Sequence, residues 1–148
     1  MKYEYVALFD VEEAGVNVQF VDSEEWYTCG TDIPNAIVMA TDILNIHLLE
    51  LEENGLAIPA PTPIAEVKPA DNQLIRLIHA DTDQYRKVVS AIKFNPIKYA
   101  REQVGMNIKE LAEYLDAPYR TVQEWNSGNS RPPRWMERIL FNHILQAK

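Results

Sequence analysis

The period of the apolar residues changes twice along these 148 residues, and those changes confine the fold more than any single motif does. At the start the pattern is strand-like. "YEYVALFD" and "VNVQFV" are rich in β-branched and aromatic residues, the polar "VEEAG" turns between them, and "WYTCG" supplies a third extended piece. From Ile33 to Leu51 the spacing is helical, with Ala36, Ile37, Ala40, Ile43, Leu44, His47, Leu48 and Leu51 on one side. Asp32 is placed to cap that helix, Pro34 is tolerated in its first turn, and Gly55 is placed to end it. "AIPAPTPIAEVKPAD" then holds four prolines in fifteen residues and reads as an extended, semi-rigid connection. "LIRLIHAD" has β character and returns as a fourth strand, and "TDQYRKVVSAIKF" bridges onward as a short helix or linker. From Asn95 only helical period remains, in about four helices. The expected class is α+β, with one domain over residues 1–80, a linker over 81–94 and an all-α domain over 95–148.

Charge follows the same division. Residues 1–91 hold 5 Lys+Arg against 16 Asp+Glu, and residues 92–148 hold 9 against 6. A formal net charge of −8 is therefore an acidic part and a basic part averaged together, a pattern that suggests two different partners. No apolar run approaches the roughly 20 residues that cross a bilayer, and "MKYEYVALFD" lacks the build of a signal peptide. The single cysteine, Cys29, excludes an internal disulfide framework; it is expected to be a small buried apolar group in a cytoplasmic protein.

Within the helical part, "NIKE" at 107–110 has the form of a capping box, and Ile108, Leu111, Ala112, Leu115, Val122 and Trp125 are spaced as the inner residues of two crossing helices. Ala112 lets the second helix cross closely over the first. The tight turn between such helices needs one residue at positive φ, usually glycine; here Asp116 holds that place. Pro118 opens the second helix and "NSG" closes it. Over about 107–134 these features resemble the Cro/XRE-type repressor family, a helix-turn-helix DNA-binding fold. The resemblance implies that the second helix enters the major groove, with Tyr119, Arg120, Gln123 and Glu124 facing base edges. Lys109, Thr121, Asn126, Arg131 and Arg134 are then placed for phosphates, with Arg138 adding to the same field. It also implies a homodimer or higher even oligomer on two half-sites of double-stranded operator DNA. The last helix, with Trp135, Met136, Ile139, Leu140 and Ile144 on an apolar side, suits either the dimer contact or the domain's own core.

The first part carries a second resemblance. "YVALFDVEEAGVNVQFVD" followed by "TCGTDIPNAIVMATDILNIHLLELEENGLAIPAPT" is similar to the HicB-type antitoxin domain, on Phe20 and Asp22, Gly30, Ala36 and Ala40, Gly55, Ile58-Pro59 and Pro61. The segment "SEEWYT" departs from the family pattern. This resemblance covers about residues 3–80 and implies a partial RNase H-like fold, β-β-β-α-β, without a nuclease centre. It implies as partner a small basic HicA-like toxin that cleaves mRNA, attracted by the acidic surface. Asp10, Glu12, Glu13, Asp22, Glu24, Glu25 and Trp26, in loops at strand ends, are the candidate toxin-facing residues.

Enzymatic readings fare worse. Asp10 and Asp22 lie near strand ends, but two-metal nuclease chemistry needs a larger carboxylate constellation and the remaining helices of the fold. His47, His79 and His143 have no metal-ligand spacing with one another or with Cys29, and His47 reads as a packing residue. No catalytic residue, metal or cofactor is expected. An antitoxin that represses its own operon, a stand-alone transcriptional regulator and a purely structural dimer module all remain compatible with the residues.

Overall fold

The alternation at the start of the chain resolves into β1 (Lys2–Glu12), β2 (Gly15–Phe20) and β3 (Tyr27–Gly30) in the computed structural model, which describes residues 1–147. Helix α1 (Ile33–Glu53) and strand β4 (Gln73–Asp81) follow, then α2 (Thr82–Phe94), α3 (Pro96–Gln103), α4 (Ile108–Tyr114), α5 (Tyr119–Ser127) and α6 (Arg134–Leu145). The class is α+β. The strands form one antiparallel sheet in the order β3-β2-β1-β4. The chain divides into two compact units, Met1–Arg86 and the remainder from Lys87. Residues 82–94, expected as linker or short helix, are α2 throughout.

Register explains which residues build the first core. Ala7 pairs with Phe20, Phe9 with Val18 and Tyr5 with Ile78, so these side chains share one face of the sheet. All are buried there against Ala36, Ala40, Leu44 and Leu48 of α1, which recur every four residues. Each large apolar side chain so buried contributes about 1.5–3 kcal/mol. Ile37, assigned to the same side by period, is instead exposed, because the buried stripe follows the strict fourfold spacing one residue earlier. Asn45 is inside: its Nδ2 donates to the Thr41 carbonyl (2.9 Å) and its Oδ1 accepts from the Asp81 N–H (3.0 Å), fastening α1 to the end of β4.

Two local features set the frame of this unit. A Cβ at Gly30 would lie 2.4 Å from the Ala36 nitrogen, so only glycine lets β3 leave the sheet against the first turn of α1. Asp32 caps α1 by accepting from the Asn35 N–H (2.8 Å). Cys29, expected inside, is exposed: it pairs with Asn17 on the sheet face turned away from α1. At the start of α2, Thr82 is fully buried and donates to Glu52 Oε1 (2.7 Å). Tyr3 Oη donates to the same oxygen (2.8 Å), and Arg86 Nη2 to Oε2 (3.1 Å).

The second unit has its own core of Ile97, Ala100, Leu111, Ala112, Val122 and Ile144, with Leu115, Trp125, Leu140 and Phe141 partly buried around it. Asn107 and Glu110 form the capping box in both directions, at 2.9 and 2.7 Å. Of the apolar residues of α6, Ile144 is buried and Leu140 half-buried, whereas Trp135 and Ile139 are 64% and 60% exposed. The core takes the face of α6 that carries Leu140, Phe141 and Ile144 and leaves those two outside.

Candidate functional site

In the second unit the candidate site is the exposed side of α5 and the turn that aims it. Ala117 N–H donates to the Ala112 carbonyl (2.9 Å) and Asp116 N–H to that of Glu113 (3.2 Å), closing α4 tightly. Asp116 has φ 49°, the left-handed conformation that aspartate tolerates better than most residues. Pro118 then opens α5, and Gly128, at φ 80°, ends it. With Leu111 and Val122 buried between the helices, α5 turns Tyr119, Arg120 and Gln123 to solvent along one surface. Glu124 and Thr121 lie half-buried beside that surface.

The cations around it differ in freedom. Arg120, Arg134 and Arg138 are exposed and have no carboxylate partner among the described residues. Lys109 stands 3.9 Å from Glu113, both well exposed, an ion pair of little strength. Arg131 is engaged: its Nε and Nη2 donate to the two carboxylate oxygens of Glu137 at 3.0 and 3.4 Å. Arg131 and Arg134 share a hollow of about 360 Å³ with Lys93, which the sequence alone did not single out.

Asn126, expected to face phosphate, is half-buried and also serves as an internal tie. Its Oδ1 accepts from Arg101 Nε (2.8 Å), and its carbonyl accepts from Asn95 Nδ2 (3.1 Å). Asn95 is buried, caps α3 through Lys98 N–H (3.1 Å), and donates also to the Trp125 carbonyl (3.1 Å). Asn95 and Arg101 thus hold the far end of α5. The Asn-Pro pair signals the cap in sequence; nothing there signals the bonds across helices.

In the first unit the acidic candidates separate into two groups. Glu12 and Glu13 are exposed at the β1–β2 turn, with Asp10 half-buried just before it, opposite Asn17 and Gln73. Glu24 and Glu25 are exposed in the β2–β3 loop, at the other end of β2. The end of β2 lies level with Ala7, so five residues of strand, about 17 Å, keep the groups apart.

Asp22 and Trp26 do structural work. Asp22 Oδ1 accepts from the Thr62 N–H (3.0 Å) and hydroxyl (2.6 Å), while Oδ2 is buried without a partner. Tyr5 Oη donates to the Pro59 carbonyl. These bonds hold the proline-rich segment as a strap against the sheet. Burial, and then the negative charge of Asp22, push the Tyr5 phenol above its ordinary pKa. Trp26, expected at the surface, is a core residue at 4% exposure, edge-on to Tyr5 (5.2 Å) and stacked on His47 (6.1 Å). Its loop folds back under the sheet because Phe20 N–H donates to the Trp26 carbonyl (2.9 Å). Among the described residues no group of three or more His, Cys, Asp or Glu is arranged to hold a metal ion, and no helix is long and apolar enough to cross a membrane.

No family model and no curated protein matches this sequence. By structure, it is similar to a chain of a toxin–antitoxin complex from Streptococcus pneumoniae, at TM-score 0.53 and 20% identity. The likeness is one of fold. It covers 78% of this chain and 98% of the other, a span longer than either unit alone, so it enters both. A chain of the HicA3 and HicB3 toxin–antitoxin complex aligns at TM-score 0.45 and 15% identity, over 53% of this chain and 99% of that one.

Proposed function

We propose that this chain is a cytoplasmic HicB-type antitoxin that binds and neutralises a small basic mRNA-cleaving toxin and represses its own operon. In this reading the first unit is a partial RNase H-like fold that acts by binding alone, without catalytic residues or cofactor. The second is a Cro/XRE-like helix-turn-helix that binds operator DNA as a homodimer. The observation that carries the proposal is the charge partition between two separately folded units. Residues 1–86 hold 4 Lys+Arg against 16 Asp+Glu, and residues 87–148 hold 10 against 6. An acidic surface attracts a basic RNA-binding protein and repels nucleic acid, while the cationic unit does the reverse. The fold shared with a component of the Streptococcus pneumoniae toxin–antitoxin complex supports the same reading.

On the DNA side, Tyr119, Arg120 and Gln123 present the polar groups that read a major groove, Arg120 toward guanine and Gln123 toward adenine. Glu124, Lys109, Thr121, Arg131 and Arg134 flank them. Arg120→Ala is expected to weaken binding to the operon's own promoter by about 1–3 kcal/mol, roughly 5- to 150-fold, with little change in non-specific binding. Unchanged promoter affinity would overturn the base-reading assignment.

The toxin side is tested by purifying the tagged full chain from its native cells and identifying what accompanies it. One small basic protein, absent when the acidic surface is charge-reversed at Glu12, Glu13, Glu24 and Glu25, is the expected result. DNA without such a protein would leave a stand-alone regulator.

A further inference from the structure

The strap that Asp22 and Tyr5 hold in place does more than close the first unit. Leu8 and Gln19 are register partners, and both alternate with core residues, so they point away from α1. Together with Thr62 and Val67 of the strap they line a groove of about 460 Å³. Val21 continues its apolar lining, and Glu24 and Glu66 bring carboxylates to it. Neither glutamate has a cationic partner among the described residues. Lys68 also lines the groove, leaving carboxylates in excess by two to one. The Nε2 of Gln19 is directed to the carbonyls of Phe20, Ser23 and Trp26 (3.1, 2.8 and 3.3 Å), so what it has left to offer is an acceptor oxygen.

An apolar channel with acceptors along it matches one kind of side chain: a long aliphatic stem ending in a cation. Leu8, Val21 and Val67 suit the stem, and two carboxylates with an amide oxygen suit a forked donor better than a point charge. We propose that this groove receives an arginine side chain of a basic partner protein. The inference rests on the partner being basic, as proposed above, and it names where and how one of its residues docks. Charge complementarity selects that occupant over the same unit of a second copy, because residues 1–86 hold 16 Asp+Glu against 4 Lys+Arg and two such units repel.

The test is a titration of the full chain with the capped peptide acetyl-Ala-Arg-Ala-amide, followed by backbone amide NMR. Expected are saturable shifts at Leu8, Gln19, Val21, Thr62 and Val67. The peptide with lysine should bind more weakly, and the one with norleucine should give no saturable shift. The double variant Glu24→Gln/Glu66→Gln, at two exposed positions whose carboxylates bond to no other described residue, should weaken binding roughly tenfold or more.

Three results would each overturn the proposal: no saturable shift at those amides, equal shifts at the Glu12–Glu13 turn, or unchanged affinity in the double variant. Equal binding of the lysine peptide would remove the arginine assignment. These outcomes are independent of the purification experiment. A toxin that co-purifies while the groove ignores arginine docks elsewhere, and a groove that binds arginine in a chain without a toxin partner leaves only the partner to be replaced.

Discussion

Asn95 bonds in two directions at once, and that makes it the sharpest test of how the second unit holds together. Its Oδ1 caps α3 at Lys98 N–H, while its Nδ2 donates to the carbonyls of Trp125 and Asn126 at the end of α5. Asn95→Ala removes a cap, about 1 kcal/mol, and two hydrogen bonds at a buried position, about 0.5–1.5 kcal/mol each. The expected loss is about 2–4 kcal/mol. A unit of about 60 residues has roughly 3–9 kcal/mol in total, so the variant approaches unfolding of that unit alone. Asn95→Asp separates the two roles. Aspartate keeps the acceptor for Lys98 but sets a carboxylate oxygen against two carbonyls at the negative end of α5. It should therefore be at least as damaging as alanine, although as an isolated cap it equals asparagine. Urea titrations read from the amide peaks of Ala100, Leu111 and Val122 report this unit separately from the first. With a slope of about 1 kcal/mol/M, the midpoint should fall by about 2 M or more in both variants. If Asn95→Asp keeps the original midpoint, the bonds to α5 contribute nothing and the reasoning fails.

Two further outcomes follow from the geometry. Burial acts to raise the Glu52 carboxyl, but hydrogen bonds from Thr82 and Tyr3, the charge of the Met1 ammonium and the hydrogen bond from Arg86 together outweigh it and hold the group below its ordinary pKa. A carboxyl lowered in the folded state stabilises above its unfolded value, about 4.3, and that contribution is lost as pH falls through the lowered one. Glu52→Gln should accordingly cost the first unit about 1–3 kcal/mol at neutral pH, and the gap from the native chain should shrink on acidification; a gap independent of pH would refute the account. Trp135 and Ile139 stand one turn apart and exposed on α6, so replacing both by glutamate should alter stability by about 0.5 kcal/mol or less. In the proposed homodimer they form the contact. Sedimentation should then show the double variant as monomer, and a dimer that persists would place the interface elsewhere.

What the sequence made legible is mostly local. The capping box at Asn107 and Glu110, the cap at Asp32 and the positive φ of Asp116 are each determined by a few neighbouring residues, and all three are present. The errors arise where partners are distant. Trp26 sits in a polar run, "SEEWYT", and only the return of its loop beneath β2 brings it to Tyr5 and His47. Cys29 follows from the register of a short edge strand, which composition does not reveal. The tie at Asn126 is hidden in the same way, since Arg101, which donates to its Oδ1, lies 25 positions earlier. The apolar stripe of α6 is broad enough that period alone does not choose which edge faces the core, and Trp135 and Ile139 fall outside. For the candidate groove, Glu66 and Val67 lie in a segment that reads only as proline-rich spacer, and nothing local tells that it returns to the sheet.

That return has a consequence in time. The strap has no ladder of its own beyond a single turn at Ile64–Glu66; Thr62 is tied to Asp22 across 40 positions and Pro59 to Tyr5 across 54. A segment tied to its sheet by three hydrogen bonds is far more weakly fastened than strands held by continuous ladders. By the same logic it is the first to leave, opening from a sheet that stays intact and exposing its amides to exchange well before the core strands do. Opening the strap removes Thr62 and Val67 from the groove's lining while Leu8 and Gln19 stay in the sheet, so the groove comes apart without the fold beneath it unfolding.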